Sequence, residues 1–190
     1  ATRERFPEAE NVFAAPPDKL ADGVTLDERA VAVVMTHHYV HDVPLLRALA
    51  KKRGPVGLVH FDAHRDVEPD DGGRIDHGTM FNYAVRDGLI DPKRSVQIGM
   101  RTPNDTMGFN VFDMNAVLEH GVKGLVAAIH ELTAGLPIYL TIDIDSLDPA
   151  FAPATGTPVI GGLTTAQLRS ILFGLTGLPI VGADLVEVAP

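Results

Sequence analysis

The chain has no cysteine and no tryptophan, and aromatic residues make up only 6% of it. Without cysteine, disulfides, thiolate metal sites and cysteine nucleophiles are excluded. No apolar run is long enough to span a bilayer. No charged start followed by an apolar stretch marks a signal peptide, so the expected location is cytoplasmic. Positive charge is scarce too: 16 Lys and Arg stand against 25 Asp and Glu, for a net charge of −9. That balance argues against nucleic acid or an anionic membrane as partner and suits a cationic ligand or a bound metal, although many acidic soluble proteins share it. Internal repeats and low-complexity tracts are absent. The first thirty residues show no period, because Pro7, Pro16 and Pro17 interrupt them. The chain begins with Ala1 rather than Met and stops at Pro190, just after an apolar strand, so a fragment, a processed form or an engineered version is expected.

What is present reads as one α/β domain over residues 1–190, with 45% hydrophobic residues to build its core. Strands are expected at Ala30 to Met35, Val56 to Phe61, Ser95 to Met100, Ile138 to Ile142 and Ile180 to Val188, each a short apolar run. Helices are expected at Pro44 to Arg53, with Pro44 in the first turn and Gly54 at the stop, and at Thr79 to Arg86, stopping at Gly88. Asp113 can cap a short helix ending near Gly121, and a second helix follows over Val122 to Thr133. Thr164 and Gln167 form a capping box opening a helix whose apolar face is Leu168, Ile171, Leu172 and Leu175. Strands alternating with helices predict a mainly parallel sheet covered on both faces, a three-layer α/β/α architecture. Functional groups in such sheets gather beyond the carboxyl ends of the strands.

Two acidic clusters sit at such ends: Asp62-Ala63-His64-Arg65-Asp66 and Asp143-Ile144-Asp145. Residues two apart on an extended chain face the same side, so Asp62, His64 and Asp66 can converge, joined by Asp143 and Asp145. An Asp-x-Asp alone is common in turns and caps. Here Asp62 and Asp143 directly follow buried strands, where an ionised carboxylate is costly unless paired or metal-bound. A carboxylate set with imidazole and no sulfur suits Mn²⁺ or Mg²⁺ over structural zinc. Four carboxylates exceed the need of one divalent ion, which points to two ions sharing bridging carboxylates and a hydroxide nucleophile between them.

His60-Phe61-Asp62-Ala63-His64-Arg65-Asp66 resembles the HFDAHTD signature of the ureohydrolases, the arginase and agmatinase family. Asp143-Ile144-Asp145-Ser146-Leu147-Asp148-Pro149 and the stretch from Ala150 to Pro158 resemble its second signature. His77-Gly78-Thr79-Met80-Phe81, Gly161-Gly162-Leu163-Thr164 and Val186-Glu187-Val188 match in order, and Gly88 to Pro92 with Ser95 to Gly99 is similar to bacterial agmatinases in particular. The likeness covers roughly Pro44 to Pro190.

The resemblance implies an arginase-like fold and manganese-dependent hydrolysis of a guanidino compound. Agmatine, giving putrescine and urea, is the expected substrate; another guanidino acid such as guanidinobutyrate, or an inactive homologue that binds metal or partners, is the alternative. It implies two Mn²⁺ ions bridged by Asp62 and Asp143, one completed by Asp66 and the other by His64 and Asp145. The bridging hydroxide would attack the guanidinium carbon. His77 would shuttle protons or position substrate, and Glu187 would pair with the cationic guanidinium. Asp148 caps the Asp-Pro turn on this reading, and His120 and His130 are surface residues. It also implies self-association, as a trimer or hexamer.

Three departures from the family pattern stand out. Where relatives carry Gly-Gly-Asp-His, with a metal-binding histidine, this chain reads Met35-Thr36-His37-His38-Tyr39-Val40-His41-Asp42. An ungapped count puts Tyr39 at the ligand position, whereas a one-residue slip uses His38, the favoured candidate, with His37 and His41 as alternatives. Arg65 replaces a threonine, and alternation turns it away from the metals. The amino-terminal strands and the helix after Val186-Glu187-Val188-Ala189-Pro190 are expected to be missing, leaving apolar sheet surface exposed.

Overall fold

The computed structural model describes residues 15–16, 19, 21–24, 48, 54–69, 72, 75–103 and 105–189. The expected strand at Ala30 to Met35, the helix at Pro44 to Arg53 (Ala48 excepted) and the histidine segment around His38 lie outside the described residues. The chain divides into two compact units, Ala1–Gly54 and Pro55–Pro190. Of the first, one 3₁₀ turn at Ala21–Gly23 is described. The rest of this section concerns the second.

Among the described residues five strands form one sheet: β1 (Gly57–Phe61), β2 (Val96–Met100), β3 (Asn110–Asp113), β4 (Ile138–Asp143) and β5 (Ile180–Val186). All pairings are parallel, in the order β3-β2-β1-β4-β5. Three helices connect them: α1 (Met80–Arg86), α2 (Met114–Leu132) and α3 (Thr165–Gly174). Every residue of β1 and β2 is buried, as continuous apolar runs in a covered parallel sheet require. Alternation sends Val59 and Phe61 of β1 toward Leu125, Ile129, Leu168 and Ile171 of α2 and α3. It sends Leu58 toward Phe81 of α1 on the opposite face. The result is helix, sheet, helix, as the alternation of strand and helix patterns predicts.

Local chemistry sets the element ends. The Asp113 carboxylate accepts the Ala116 N–H at 2.8 Å and starts α2. Gly121, at φ 61°, breaks α2 where the sequence places the boundary between two helices. Thr164 and Gln167 form the expected capping box on α3, a device worth about 1 kcal/mol. One strand is unforeseen and one reading changes. β3 is a strand of four residues with one buried side chain, too short and too polar to show a period. His130 is not a surface residue: it is half-buried and hydrogen-bonds the Gly174 carbonyl at 2.9 Å, tying α2 to the end of α3.

The strand order reverses direction at β1. The chain proceeds β1, β2, β3 to one side, then returns to lay β4 and β5 on the other. The crevice between the carboxyl ends of β1 and β4 is therefore the topological switch point, where open α/β sheets bind ligands. On β5, Leu185 is 58% exposed and Val188, just beyond it, 61%. No helix among the described residues is long and apolar enough to cross a membrane.

Candidate metal centre

Asp62 directly follows β1 and Asp143 ends β4, and the two strands pair in register up to Phe61 and Ile142. That register alone makes the two aspartates neighbours at the switch point. Beyond Asp62 the chain leaves the sheet, guided by a bulge in β2 at Gly99, where φ is 93° and a Cβ would lie 3.1 Å from the Asp62 carbonyl.

Backbone amides hold Asp62, Asp143 and Asp145. The His64 N–H donates to Asp62 Oδ1 at 2.6 Å, and the Asp145 N–H donates to Asp143 Oδ1 at 2.9 Å. The Ala63 N–H donates to Asp145 Oδ1 at 3.0 Å, stitching the two clusters across 82 positions of sequence. Thr157 Oγ1 donates to Asp145 Oδ2 at 3.1 Å. His64 Nδ1 lies 3.3 Å from Asp62 Oδ1 and 3.1 Å from Asp145 Oδ2. Asp66 sits at φ 53° and Glu187 at φ 60°, left-handed backbone that costs a non-glycine residue about 1 kcal/mol or more and that concentrates at functional sites.

The electrostatics describe a crowd of negative charge. Burial, then the charges of Asp62 and Asp143, push the Asp66 carboxyl up to about 8. Burial does the same for Asp143, to about 8, with Asp62 and Asp145 adding to the effect against the opposing Asp145 N–H. Burial also works against ionised Asp62, but hydrogen bonds with His60 and His64 outweigh it and hold this carboxyl well below the usual range. The Asp145 and Asp62 carboxylates hold the His64 imidazole protonated up to about 10. In effect a proton on Nδ1 occupies the point that His64, Asp62 and Asp145 surround. Those three side chains offer ligand atoms all within 4.8 Å of one another. Oxygen and imidazole donors, with Asp66 and Asp143 pressed toward neutrality by burial and by neighbouring carboxylates, fit hard divalent cations.

Five of the expected metal ligands, Asp62, His64, Asp66, Asp143 and Asp145, thus meet at the crivice between β1 and β4. His38, the sixth, lies outside the described residues. A cavity of about 270 Å³ opens on the cluster, and His77 and Glu187 line it, both exposed to solvent. Arg65 points elsewhere, lining a separate cavity of about 490 Å³ with Arg101 and Asp113. Asp148 caps its turn, accepting from the N–H groups of Ala150, Gly161 and Gly162.

Four participants escape the sequence reading. Glu68 lines the cavity from a loop that carries no pattern, and Thr157 from the second signature stretch, where the motif gives it no role of its own. Asp76 orders the turn holding His77: its Oδ1 accepts from Gly78 N–H, Thr79 N–H and Thr79 Oγ1. Arg101 sends its guanidinium under the second cluster, donating to the carbonyls of Gly99, Asp145, Ser146 and Val159 at 2.7–3.2 Å. The signal for Arg101 is a cation directly after a buried strand, the same oddity that marks Asp62.

Comparison with known proteins follows this geometry closely. Residues 37–190 match the family model for the arginase family. Over 154 residues the chain is 58% identical to an agmatinase of Proteus mirabilis, covering 80% of this chain and 50% of that protein. Among solved structures, a hypothetical agmatinase from Burkholderia thailandensis superposes with a TM-score of 0.74 at 53% identity, over 82% of this chain and 50% of that one. A proclavaminate amidino hydrolase from Streptomyces clavuligerus gives a TM-score of 0.72 at 39% identity, over 82% of this chain and 55% of that one. The chain spans about half the length of the curated relatives it matches.

Proposed function

Starting from a chain that belongs to the arginase family, we propose that it hydrolyses a guanidino compound, agmatine to putrescine and urea, with two Mn²⁺ ions. The observation that carries the reading is the convergence of Asp62, His64, Asp66 and Asp143 from two adjacent strand ends onto one acidic cavity, with Asp145 against His64 and Asp62 just behind it. Asp62 and Asp143 would bridge the ions, with Asp66 completing one site and His64 and Asp145 the other. His38 is the proposed further ligand. Bound divalent ions supply a nucleophile from water at neutral pH and stabilise developing negative charge.

The chain's own groups do the rest. Glu187, at the rim of the cavity, pairs with the planar guanidinium and turns its carbon toward the cluster. His77, which also lines the cavity, carries a proton toward the leaving amine, a task suited to imidazole. Thr157 steadies Asp145 so that the carboxylate keeps its orientation as substrate enters. Six of the residues lining the cavity are carboxylic acids: Asp62, Asp66, Glu68, Asp76, Asp143 and Glu187. Two bound cations offset part of that charge, and the remaining rim favours a substrate with a second positive end. Agmatine has one, whereas guanidinobutyrate presents a carboxylate that this rim repels. A cytoplasmic location and self-association with trimeric symmetry belong to the same reading.

The test is urea release from agmatine with added Mn²⁺, run beside Asp143→Ala and a panel of guanidino acids. Urea from agmatine that disappears in Asp143→Ala is the expected result. No urea from any guanidino substrate, or urea unaffected by the substitution, sinks the proposal.

A further inference from the structure

Behind Asp62, on the side away from the cavity, lies a line of buried polar groups that the proposed chemistry leaves unused. His60 and Gln97 are almost completely buried, at 1% and 0% exposure. β1 and β2 pair His60 directly with Gln97, so the two side chains stand beside one another on one face of the sheet. His60 Nε2 is 2.8 Å from Asp62 Oδ2. Gln97 Nε2 is 3.2 Å from His60 Nδ1 and 2.7 Å from the Arg65 carbonyl oxygen. The Phe81 ring packs edge-on at 4.7 Å and closes the far side of the imidazole.

The hydrogen positions follow from donor and acceptor logic. A carbonyl oxygen only accepts, so the amide nitrogen of Gln97, and not its oxygen, must face Arg65. The reverse orientation would press two carbonyl oxygens together at 2.7 Å. The second hydrogen of the same nitrogen then points at His60 Nδ1, which must accept it. A neutral imidazole accepting at Nδ1 carries its proton on Nε2, the atom that faces Asp62. His60, Asp62 and Asp66 offer ligand atoms within 4.8 Å of one another and so resemble a metal site. With its proton on Nε2, however, His60 has no lone pair to give there.

We propose that Arg65, Gln97 and His60 form a relay that orients the Asp62 carboxylate. The Arg65 carbonyl turns the Gln97 amide, the amide selects the His60 tautomer, and His60 occupies one lone pair of Oδ2 from behind. The carboxylate plane is then fixed from both ends, by His60 on Oδ2 and by the His64 N–H on Oδ1, which leaves the second lone pair of Oδ2 for a cation. His60 and Gln97 are positioning residues and touch neither ion nor substrate. The inference rests on the reading of Asp62 as a bridging ligand.

The experiment combines ring-nitrogen NMR of His60 in the metal-free intact protein with calorimetric Mn²⁺ titration of wild type, Asp143→Ala, His60→Leu, His60→Gln and Gln97→Leu, each checked for its Tm. NMR should show the proton on Nε2 and a bare Nδ1. His60→Leu and Gln97→Leu should weaken Mn²⁺ binding by about 10- to 100-fold, the usual cost of removing a group that orients a ligand. His60→Gln should restore binding to within a few fold, because its amide nitrogen reaches the position of Nε2 and still donates. A proton on Nδ1, or His60→Leu and Gln97→Leu binding Mn²⁺ as wild type does, overturns the relay while leaving the site intact. If His60→Leu does not fold, His60→Gln, Gln97→Leu and the wild-type spectrum decide the matter. Equal Mn²⁺ binding by wild type and Asp143→Ala overturns the reading of the site, and the relay falls with it.

Discussion

Arg101 is the sharpest place to perturb the scaffold without substituting a proposed ligand. Its guanidinium donates to four carbonyls, those of Gly99 at 2.8 Å, Ser146 at 3.2 Å, Asp145 at 2.7 Å and Val159 at 2.9 Å. These lie at the end of β2, in the turn after β4 and in the loop that follows. One planar fork therefore clamps three segments around Asp145, something a lysine cannot reproduce. At about 1.5 kcal/mol for each bond from a charged donor, four bonds set a ceiling of about 6 kcal/mol. Burial pushes the Arg101 pKa down, against the charges of Asp145, Asp148 and Asp62, so desolvation takes back part of that. The side chain is only half-buried, and water can replace some lost partners after substitution. Arg101→Met should then cost about 3 kcal/mol, which for a chain of this size lowers Tm by about 6–12 °C. Arg101→Lys should recover no more than about half of the loss, since an ammonium reaches one or two of the carbonyls. Differential scanning calorimetry at near-neutral pH reads both variants. A Tm for Arg101→Met within about 2 °C of wild type would refute the reasoning, because it would mean the carbonyls need no common donor.

Two further outcomes follow from the site and its supporting turn. Asp66 and Asp143, raised from 3.8 to about 8, keep protons that the unfolded chain releases, so folded protein binds more protons between those values and stability falls as pH rises across them. The contribution of His64, raised from 6.5 to about 10, is complete below 6.5 and is lost as pH rises through 10. Asp62, lowered from 3.8, acts oppositely and is lost only in stronger acid. The metal-free protein should therefore have a higher Tm near pH 5 than near pH 9, and Mn²⁺ should flatten the trend; a Tm that rises with pH in metal-free buffer contradicts this. At Gly162, a Cβ would sit 2.6 Å from the Asp148 nitrogen and the Leu147 carbonyl carbon, backbone atoms that cannot step aside. Gly162→Ala should cost about 2 kcal/mol, visible as a lower urea midpoint at unchanged m.

Much of this molecule can be read from its residues because the informative positions report on their own neighbourhood. Gly57 to Phe61 is apolar except for His60 because both faces of β1 are covered, and Asp113, Gly121 and Thr164 mark helix ends through local hydrogen bonds or backbone shape. The acid clusters are visible because a charge straight after a buried strand needs an explanation. What stays hidden depends on pairings that the chain makes at a distance. Gln97 looks like an ordinary polar interruption until β2 lies beside β1 and brings it against His60. Thr157 and Glu68 become cavity residues only when loops from different crossovers meet. β3 is helped into the sheet by its neighbour rather than by its own composition, with Asn110 donating to the Lys93 and Ser95 carbonyls. A buried histidine two positions before Asp62 was the one available hint of the relay, since the period of a strand puts both on one face.

The register between β1 and β4 has a kinetic side. The two halves of the cluster are 82 positions apart where Ala63 meets Asp145, so the pairing closes a long loop and belongs among the slow, non-local events of folding. As it closes, it also drives like charges together, so the step that completes the sheet is the one the local electrostatics oppose. A one-residue slip in the pairing would turn Asp143 to the other face, relieve the repulsion and lose the site. A divalent cation captured during closure would favour the correct register over the slipped one. The ion suited to the finished site would then also act as a proofreader of the sheet that builds it.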